Sequence, residues 1–329
     1  MLCFRHMISE SKYIIEVVPL TRISLSRNQA FSYSASEEIP QGSLVSVSLF
    51  YRNINGIVIA SCTCEKWTKK FVLKPIRSII EKSFLTFEQI ELAKFISDYY
   101  LCPLGIVLKS FVPKKVKAIK KNAEKNISPK SKKITLTSAQ KKAIKKIQNT
   151  KHGIQNTKYY LYGPSGSGKT EVYIEAIKRL NSIKQALILL PDLTLAPQAI
   201  ERYSANFKLK EIVLLHSKIS KGEFYQSWEK IRSGEAKIII GSRMALFAPF
   251  KKLGLIVIDE EHDISFKQWD SNPRYDARTV AEKLAEIYEC RIVFGSSTPR
   301  VISFYKAKEK KYKLVTLPAF KIKKTAPEV

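Results

Sequence analysis

The octapeptide Gly163-Pro164-Ser165-Gly166-Ser167-Gly168-Lys169-Thr170 satisfies G-x-x-x-x-G-K-[ST] in full. Few sequence features constrain a fold more tightly, because such a loop works only between a buried strand and the start of a helix. Both flanks fit: Tyr159-Tyr160-Leu161-Tyr162 reads as a buried strand, and Glu171 to Leu180 reads as an amphipathic helix. The glycines let the backbone curl so that successive N–H groups and the helix N-terminus face a polyphosphate. Lys169 is then expected to reach the outer phosphates and the Thr170 hydroxyl to ligate magnesium, which makes ATP and Mg2+ the expected cofactors. A chance Gly/Ser-rich turn is the bland alternative, and it does not explain why strand, loop and helix follow in that order.

A phosphate loop does not choose among kinases, GTPases and motors, and a second landmark narrows the choice. The apolar run Leu255-Ile256-Val257-Ile258 leads into Asp259-Glu260-Glu261-His262. A strand of this kind delivers Asp259 to the magnesium shell and leaves Glu260 to orient and deprotonate an attacking water. A solvated acidic turn is the alternative reading, but adjacent acids at a strand end stand out in a chain whose 57 Lys and Arg outnumber 29 Asp and Glu. Hydrolysis is therefore favoured, and a P-loop small-molecule kinase, which has no use for Glu260, ranks last.

That charge excess, +28 over 329 residues, points to a polyanionic partner, with nucleic acid the default beside a nucleotide-hydrolysing site. A lysine-rich proteome would account for part of it. Cys3, Cys62, Cys64, Cys102 and Cys290 contain no C-x-x-C pair, so no zinc site is expected and reduced cytoplasmic thiols are. Nothing approaches a membrane-spanning run, and either Met1 or Met7 could be the initiator.

Three segments follow from the patterning. Residues 1–113 alternate short β-type runs (Ile14 to Val18, Phe31 to Tyr33, Ser43 to Tyr51, Gly56 to Ser61, Phe71 to Leu73) with turns at Gly42 and Asn53-Ile54-Asn55-Gly56. Thr86-Phe87-Glu88-Gln89 caps a helix running to Tyr100. Residues 114–134 form a lysine-rich linker whose charges are either solvated or track a phosphate backbone. Residues 135–329 alternate helix and strand, with strands at Tyr159 to Tyr162, Ala186 to Leu190, Ile212 to Leu215, Lys237 to Ile240, Leu255 to Ile258 and Arg291 to Phe294. The expected fold is α/β: a RecA-like parallel sheet preceded by a small β-rich domain.

In an open α/β sheet ligands bind at the carboxyl ends of strands, and there this chain places, in order, the phosphate loop, Pro191 to Gln198, Leu215-His216-Ser217, Gly241 to Phe250, the Asp259 box and Gly295 to Arg300. With Gly166 to Tyr173, Asp259-Glu260-Glu261-His262-Asp263, Phe266-Lys267-Gln268 and Arg274-Tyr275-Asp276-Ala277-Arg278, these segments from about Leu136 to Tyr312 closely resemble the first motor lobe of superfamily two helicases of the PriA (primosomal protein N′) family, which restart bacterial replication. Residues 1–113 are more thinly similar to that family's DNA 3′-end-binding domain, in Phe31-x-Tyr33, Gly42-x-x-Val45, Gly56-Ile57-Val58, Leu73-Lys74 and Tyr99-Tyr100 through Gly105.

The resemblance implies an ATP-dependent, 3′-to-5′ DNA helicase of the primosome. Gln140 looks like the family's adenine-reading glutamine, although a polar residue on a helix face fits equally well. His262 resembles the residue linking hydrolysis to the DNA-facing loop, and Phe266, Lys267, Trp269, Arg274 and Tyr275 look like an aromatic-rich loop that meets unstacked bases, with core burial the weaker account of those rings. Phe31, Tyr33 and Lys74 look like the contacts of a DNA 3′ end. Implied partners are forked or 3′-ended DNA, other primosome proteins, single-stranded DNA-binding protein and loading factors for the replicative helicase.

There are departures: Ser296-Ser297-Thr298 replaces Ser-Ala-Thr, Ser32 stands where the family has aspartate, and no winged-helix domain fits between Pro113 and Leu136. The second lobe, its arginine finger and the family's zinc-binding cysteines are expected to lie outside this chain. A second function reading therefore stays open, a fork-DNA and ATP-binding module that unwinds nothing without a separate lobe or partner.

Overall fold

The computed structural model describes residues 12–63, 73–113, 135–148, 157–191 and 196–319. Two compact units emerge, 1–114 with 268–275, and 115–267 with 276–329. The linker expected over 114–134 and the segment 192–195 after Pro191 lie outside the described residues.

The first unit is built on five antiparallel strands: β1 (Tyr13–Pro19), β2 (Phe31–Ala35), β3 (Leu44–Leu49), β4 (Arg52–Thr63) and β5 (Ser78–Glu81), in the order β2-β1-β4-β3-β5. Alternation along β1 and β3 turns Ile15, Val17, Val45 and Val47 inward, where they pack with Tyr33 and Val58, each such aliphatic contributing about 1.5–3 kcal/mol. α1 (Phe87–Tyr99) starts where the sequence signals it: Thr86 and Gln89 form the reciprocal capping box, and Ile90, Leu92, Ala93 and Ile96 are buried. A short α2 (Leu104–Lys109) follows.

Two sequence expectations change here. Asn53 to Gly56 make no turn but run inside β4, with Val45 opposite Gly56 and Leu49 opposite Arg52, so the turn is Phe50-Tyr51. Packing decides this: a Cβ on Gly56 would lie 2.3 Å from Val17 Cγ1, so the glycine serves the close approach of β1 to β4. Of the strand expected at Phe71 to Leu73, the first two residues lie outside the described residues, and Leu73 is not in a strand. The chain beside it pairs with β2 through Ser34 N–H to Lys74 O and Ile76 N–H to Ser34 O, both 3.0 Å, before β5 begins at Ser78.

The second unit carries α3 (Ser138–Gln148), β6 (Lys158–Tyr162), α4 (Lys169–Lys178), β7 (Gln185–Leu189), α5 (Ala196–Ser204), β8 (Ile212–Leu215), α6 (Lys221–Ser233), β9 (Ile238–Gly241), β10 (Leu253–Ile258), α7 (Ala277–Ile287), β11 (Arg291–Ser296), α8 (Val301–Lys308) and β12 (Lys313–Thr316). Its seven strands pair in parallel in the order β12-β6-β11-β10-β7-β9-β8. Every residue of β7, β9 and β10 is buried, as expected for strands covered on both faces. Edge strand β12 carries no long apolar run, and the sequence pattern does not signal it.

One polar cluster ties the β12 side together. Glu282 on α7 accepts from Lys158 on β6 at 2.7 Å, from Lys306 on α8 at 2.9 Å, and from the Tyr312 hydroxyl. Burial works against its ionised form, but these donors outweigh burial and hold its carboxyl below the ordinary range. The carboxylate therefore stabilises the fold above its unfolded pKa of about 4.3, and the contribution is lost as pH falls through the lower folded value. Glu282→Gln should cost about 3 kcal/mol in urea unfolding at pH 7, with the gap to the parent protein closing below about pH 4. An equal gap at both pH values would show that the charge is idle.

Candidate nucleotide and nucleic-acid sites

The phosphate loop leaves β6 and enters α4 with Gly166 and Gly168 both left-handed, at φ 76° and 83°. The left-handed φ at Gly168 favours glycine, and a Cβ there would lie 2.0 Å from the Gln140 amide nitrogen and push that carboxamide off the loop. An added Cβ on Gly166 would meet nothing within 4 Å. Lys169 is buried, its ammonium donating to the carbonyl of Gly163 at 3.0 Å. The Ser167 hydroxyl is buried without a hydrogen-bond partner, and Arg202 on α5 donates to the Thr170 hydroxyl at 3.3 Å. Gln140 is buried against the loop: it accepts from Thr137 N–H at 2.8 Å and donates to Gly168 O at 3.4 Å. Its carboxamide thus serves a helix cap and the loop itself.

Facing the loop, β10 ends in three carboxylates with three fates. Asp259 is half-buried, accepts from the Tyr173 hydroxyl at 3.0 Å, and is pushed up to about 6 by burial first and by the charge of Glu260 second. Glu260 takes a left-handed backbone, φ 47°, which carries its carboxylate to 3.8 Å from the Lys169 ammonium and 3.5 Å from His262 Nδ1. Nonglycine residues held there often sit at reacting centres. Glu261 points into the core, accepting from the hydroxyls of Tyr160 at 2.8 Å and Ser303 at 2.9 Å.

Behind this edge, His262 Nδ1 lies 2.8 Å from Ser296 Oγ, which accepts from Thr298 N–H at 3.0 Å. The box is thereby joined to the Gly295 to Arg300 segment. Arg278 is buried, clasps Asp276 through Nε at 2.8 Å, and donates to the carbonyls of Glu261 at 2.6 Å and Asp263 at 2.9 Å. Sequence reasoning gives neither Glu261 nor Arg278 a role of its own. A third acid in a row and an arginine two residues past a helix-capping aspartate are the only signals they leave.

Among the described residues no three His, Cys, Asp or Glu side chains are placed to hold a metal ion by themselves. Magnesium suits such a sparse set, since it usually keeps waters and phosphate oxygens around one or two protein ligands. Thr170 and Asp259 fit that role, and the unpartnered Ser167 hydroxyl with the open space at Gly166 fits a phosphate-lined loop.

The expected DNA contacts divide. Lys74 and Arg274 are exposed, Lys267 is half-buried, and Trp269 is 60% exposed. Burial corrects the expectation for Phe266 and Tyr275: both rings are almost fully covered, Phe266 under the Arg278 guanidinium at 5.5 Å, because that cation needs an apolar floor while it grips the loop carbonyls. Tyr33 is likewise a core residue; its hydroxyl donates to Ser48 O at 3.2 Å and burial raises its phenol above the ordinary range. Phe31 is half-buried against the same core.

Comparison with known proteins agrees with this geometry. Residues 137–304 match the DEAD/DEAH box helicase family and residues 17–113 match the 3′DNA-binding domain of PriA. The protein named replication restart protein PriA in Helicobacter pylori (strain J99) is 36% identical over 290 residues, 87% of this chain and 43% of that one. Its namesake in Bacillus subtilis (strain 168) is 39% identical over 197 residues, 60% of this chain and 24% of that one. The chain thus spans less than half the length of these relatives. Among solved structures, RecG bound to a three-way DNA junction aligns with 72% of this chain and 30% of that one at 23% identity and a TM-score of 0.43, a likeness too slight to argue from.

The three fates of the carboxylates predict opposite phenotypes. Glu261→Ala strands the hydroxyls of Tyr160 and Ser303 and should lower unfolding stability by about 3 kcal/mol, whereas Glu260→Gln should leave the melting temperature nearly unchanged. Equal melting temperatures for the two variants would contradict the burial of Glu261.

Proposed function

The chain belongs to the DEAD/DEAH box helicase family, which covers just over half of it, and from that premise we propose that it works as the amino-terminal half of an ATP-dependent helicase that restarts DNA replication. The observation that carries the reading is the meeting of Lys169 with Glu260, 3.8 Å apart across the mouth of the phosphate loop and beside Asp259. Lys169 and the loop N–H groups bind the phosphates, Thr170 and Asp259 hold magnesium, and Glu260 orients and deprotonates the attacking water. The magnesium supplies charge neutralisation at the phosphoryl oxygens when bound. Gln140, packed on Gly168, is read as the residue that recognises the adenine base, in keeping with its contact to the loop. His262, bridged to Ser296, couples this edge to the segment that follows β11.

The amino-terminal unit is read as the part that recognises forked or 3′-ended DNA, with Lys74 exposed on its surface, and Trp269 and Arg274 supply further exposed contacts. Translocation from 3′ to 5′, action in the cytoplasm, and dealings with other primosome proteins belong to the same proposal and rest on the sequence resemblance and the scattered cysteines alone.

Two measurements test it. Lys169→Ala should abolish binding of a fluorescent ATP analogue with Mg2+, while Glu260→Gln should keep binding and lower DNA-stimulated hydrolysis by about 10²-fold or more. Undiminished hydrolysis in Glu260→Gln would remove the assigned base. In a salt titration, affinity for blunt and 3′-ended duplexes should fall steeply together while a preference for the exposed end persists. Equal affinity for both at every salt concentration would reduce the first unit to a generic basic clamp.

A further inference from the structure

The turn joining β3 to β4 breaks the local rule for its type. With Leu49 paired to Arg52, Phe50-Tyr51 is the whole loop, and both residues adopt left-handed backbone, φ 46° and 64°. Two-residue hairpins of this kind favour Asn-Gly or Asp-Gly, because most L side chains are strained at positive φ. Two aromatic rings carry that cost here and recover nothing from burial: Phe50 is 67% exposed and Tyr51 99%. Strain that packing does not repay marks a candidate functional position.

The surroundings say what such rings would meet. The Lys74 ammonium lies 5.6 Å from the centroid of the Tyr51 ring, and Arg52, Asn53, Asn55 and Arg77 are all exposed nearby in the chain or on the neighbouring strand segment. Among the described residues these flanking cations and amides suit a polyanion. The support is rigid: the Tyr33 hydroxyl fastens Ser48 O from beneath at 3.2 Å, and Val45 and Val47 anchor β3 in the core. Open ring faces on a fixed hairpin with an ammonium alongside are the makings of a base-stacking platform.

We propose that the Phe50-Tyr51 turn stacks on the unpaired bases of single-stranded DNA, with Lys74 holding the adjoining phosphate. The inference rests on reading the amino-terminal unit as DNA-binding, and it assigns the stacking to residues outside those the sequence pattern singles out. It also relieves a difficulty, since buried Tyr33 has no free face to offer.

The decisive variant is F50N/Y51G in the full chain, which installs the residues the turn prefers while deleting both rings. Its melting temperature should equal or exceed the parent's. Affinity for a 5′-labelled oligothymidylate should fall about tenfold or more, since each stacked base contributes appreciably. The slope of log Kd against log salt should not change, because no charge is removed, whereas Lys74→Ala should reduce it by about 0.7. Tyr51→Phe should restore most of the affinity lost in Tyr51→Ala, and binding to blunt duplex should be unaffected by F50N/Y51G. Oligothymidylate affinity within about twofold of the parent's in F50N/Y51G, or an equal loss on duplex and single strand, would overturn the assignment. No binding of oligothymidylate by the unaltered chain would overturn the DNA-binding reading of the unit and this inference with it, a result distinct from a variant that matches a binding parent.

Discussion

Three consecutive carboxylates leave one strand and enter three environments, and the edge that faces the phosphate loop depends on that divergence. A strand alone would alternate them between two faces. The left-handed backbone at Glu260 ends the alternation, so Asp259 stays half-buried against Tyr173, Glu260 swings to Lys169, and Glu261 turns into the core. Each is then fixed by its own partner: Tyr173 within α4, Lys169 at the start of α4, and Tyr160 of β6 with Ser303 of α8. Glu261, the buried one of the three, is tolerable because its oxygens accept from these hydroxyls. The same contacts hold the loop, α8 and β10 in register.

Around this edge the scaffold works mainly by restraining backbone. Arg278 spends its guanidinium on the carbonyls of Glu261 and Asp263 and on Asp276, so the stretch after the box is held by one buried cation resting on Phe266. Gly295 permits the close approach of β11, since a Cβ there would strike the Tyr173 hydroxyl that steadies Asp259. These devices make the distance between Lys169 and Glu260 a property of the fold. The amino-terminal unit follows the opposite plan, a five-stranded support on which the Phe50-Tyr51 hairpin tip is both strained and unburied.

Motif residues whose chemistry is local are legible in the sequence. The phosphate loop, the strand carrying Asp259 and the Thr86 cap declare themselves because a glycine spacing, an apolar run or a capping pair is written in adjacent positions. Local signal misleads where packing overrules it. Asn53 to Gly56 looks like a turn, yet Gly56 is spent on the approach of Val17, and the turn falls on two aromatics that no turn rule selects. Phe266, Tyr275 and Tyr33 look like stacking rings, yet each is consumed by the core.

By itself the sequence determined the α/β class, a parallel sheet preceded by a β-rich segment, and the run of acids at the end of β10, because periodicity and residue type dictate those directly. Only the tertiary structure decided which of three adjacent acids faces the phosphate loop, which aromatics remain open to solvent, and that Glu282, Glu261 and Arg278 join distant elements. Those outcomes depend on contacts between residues as much as 124 positions apart. Burial and a single backbone dihedral are properties of the assembled chain, and no window of neighbouring residues contains them.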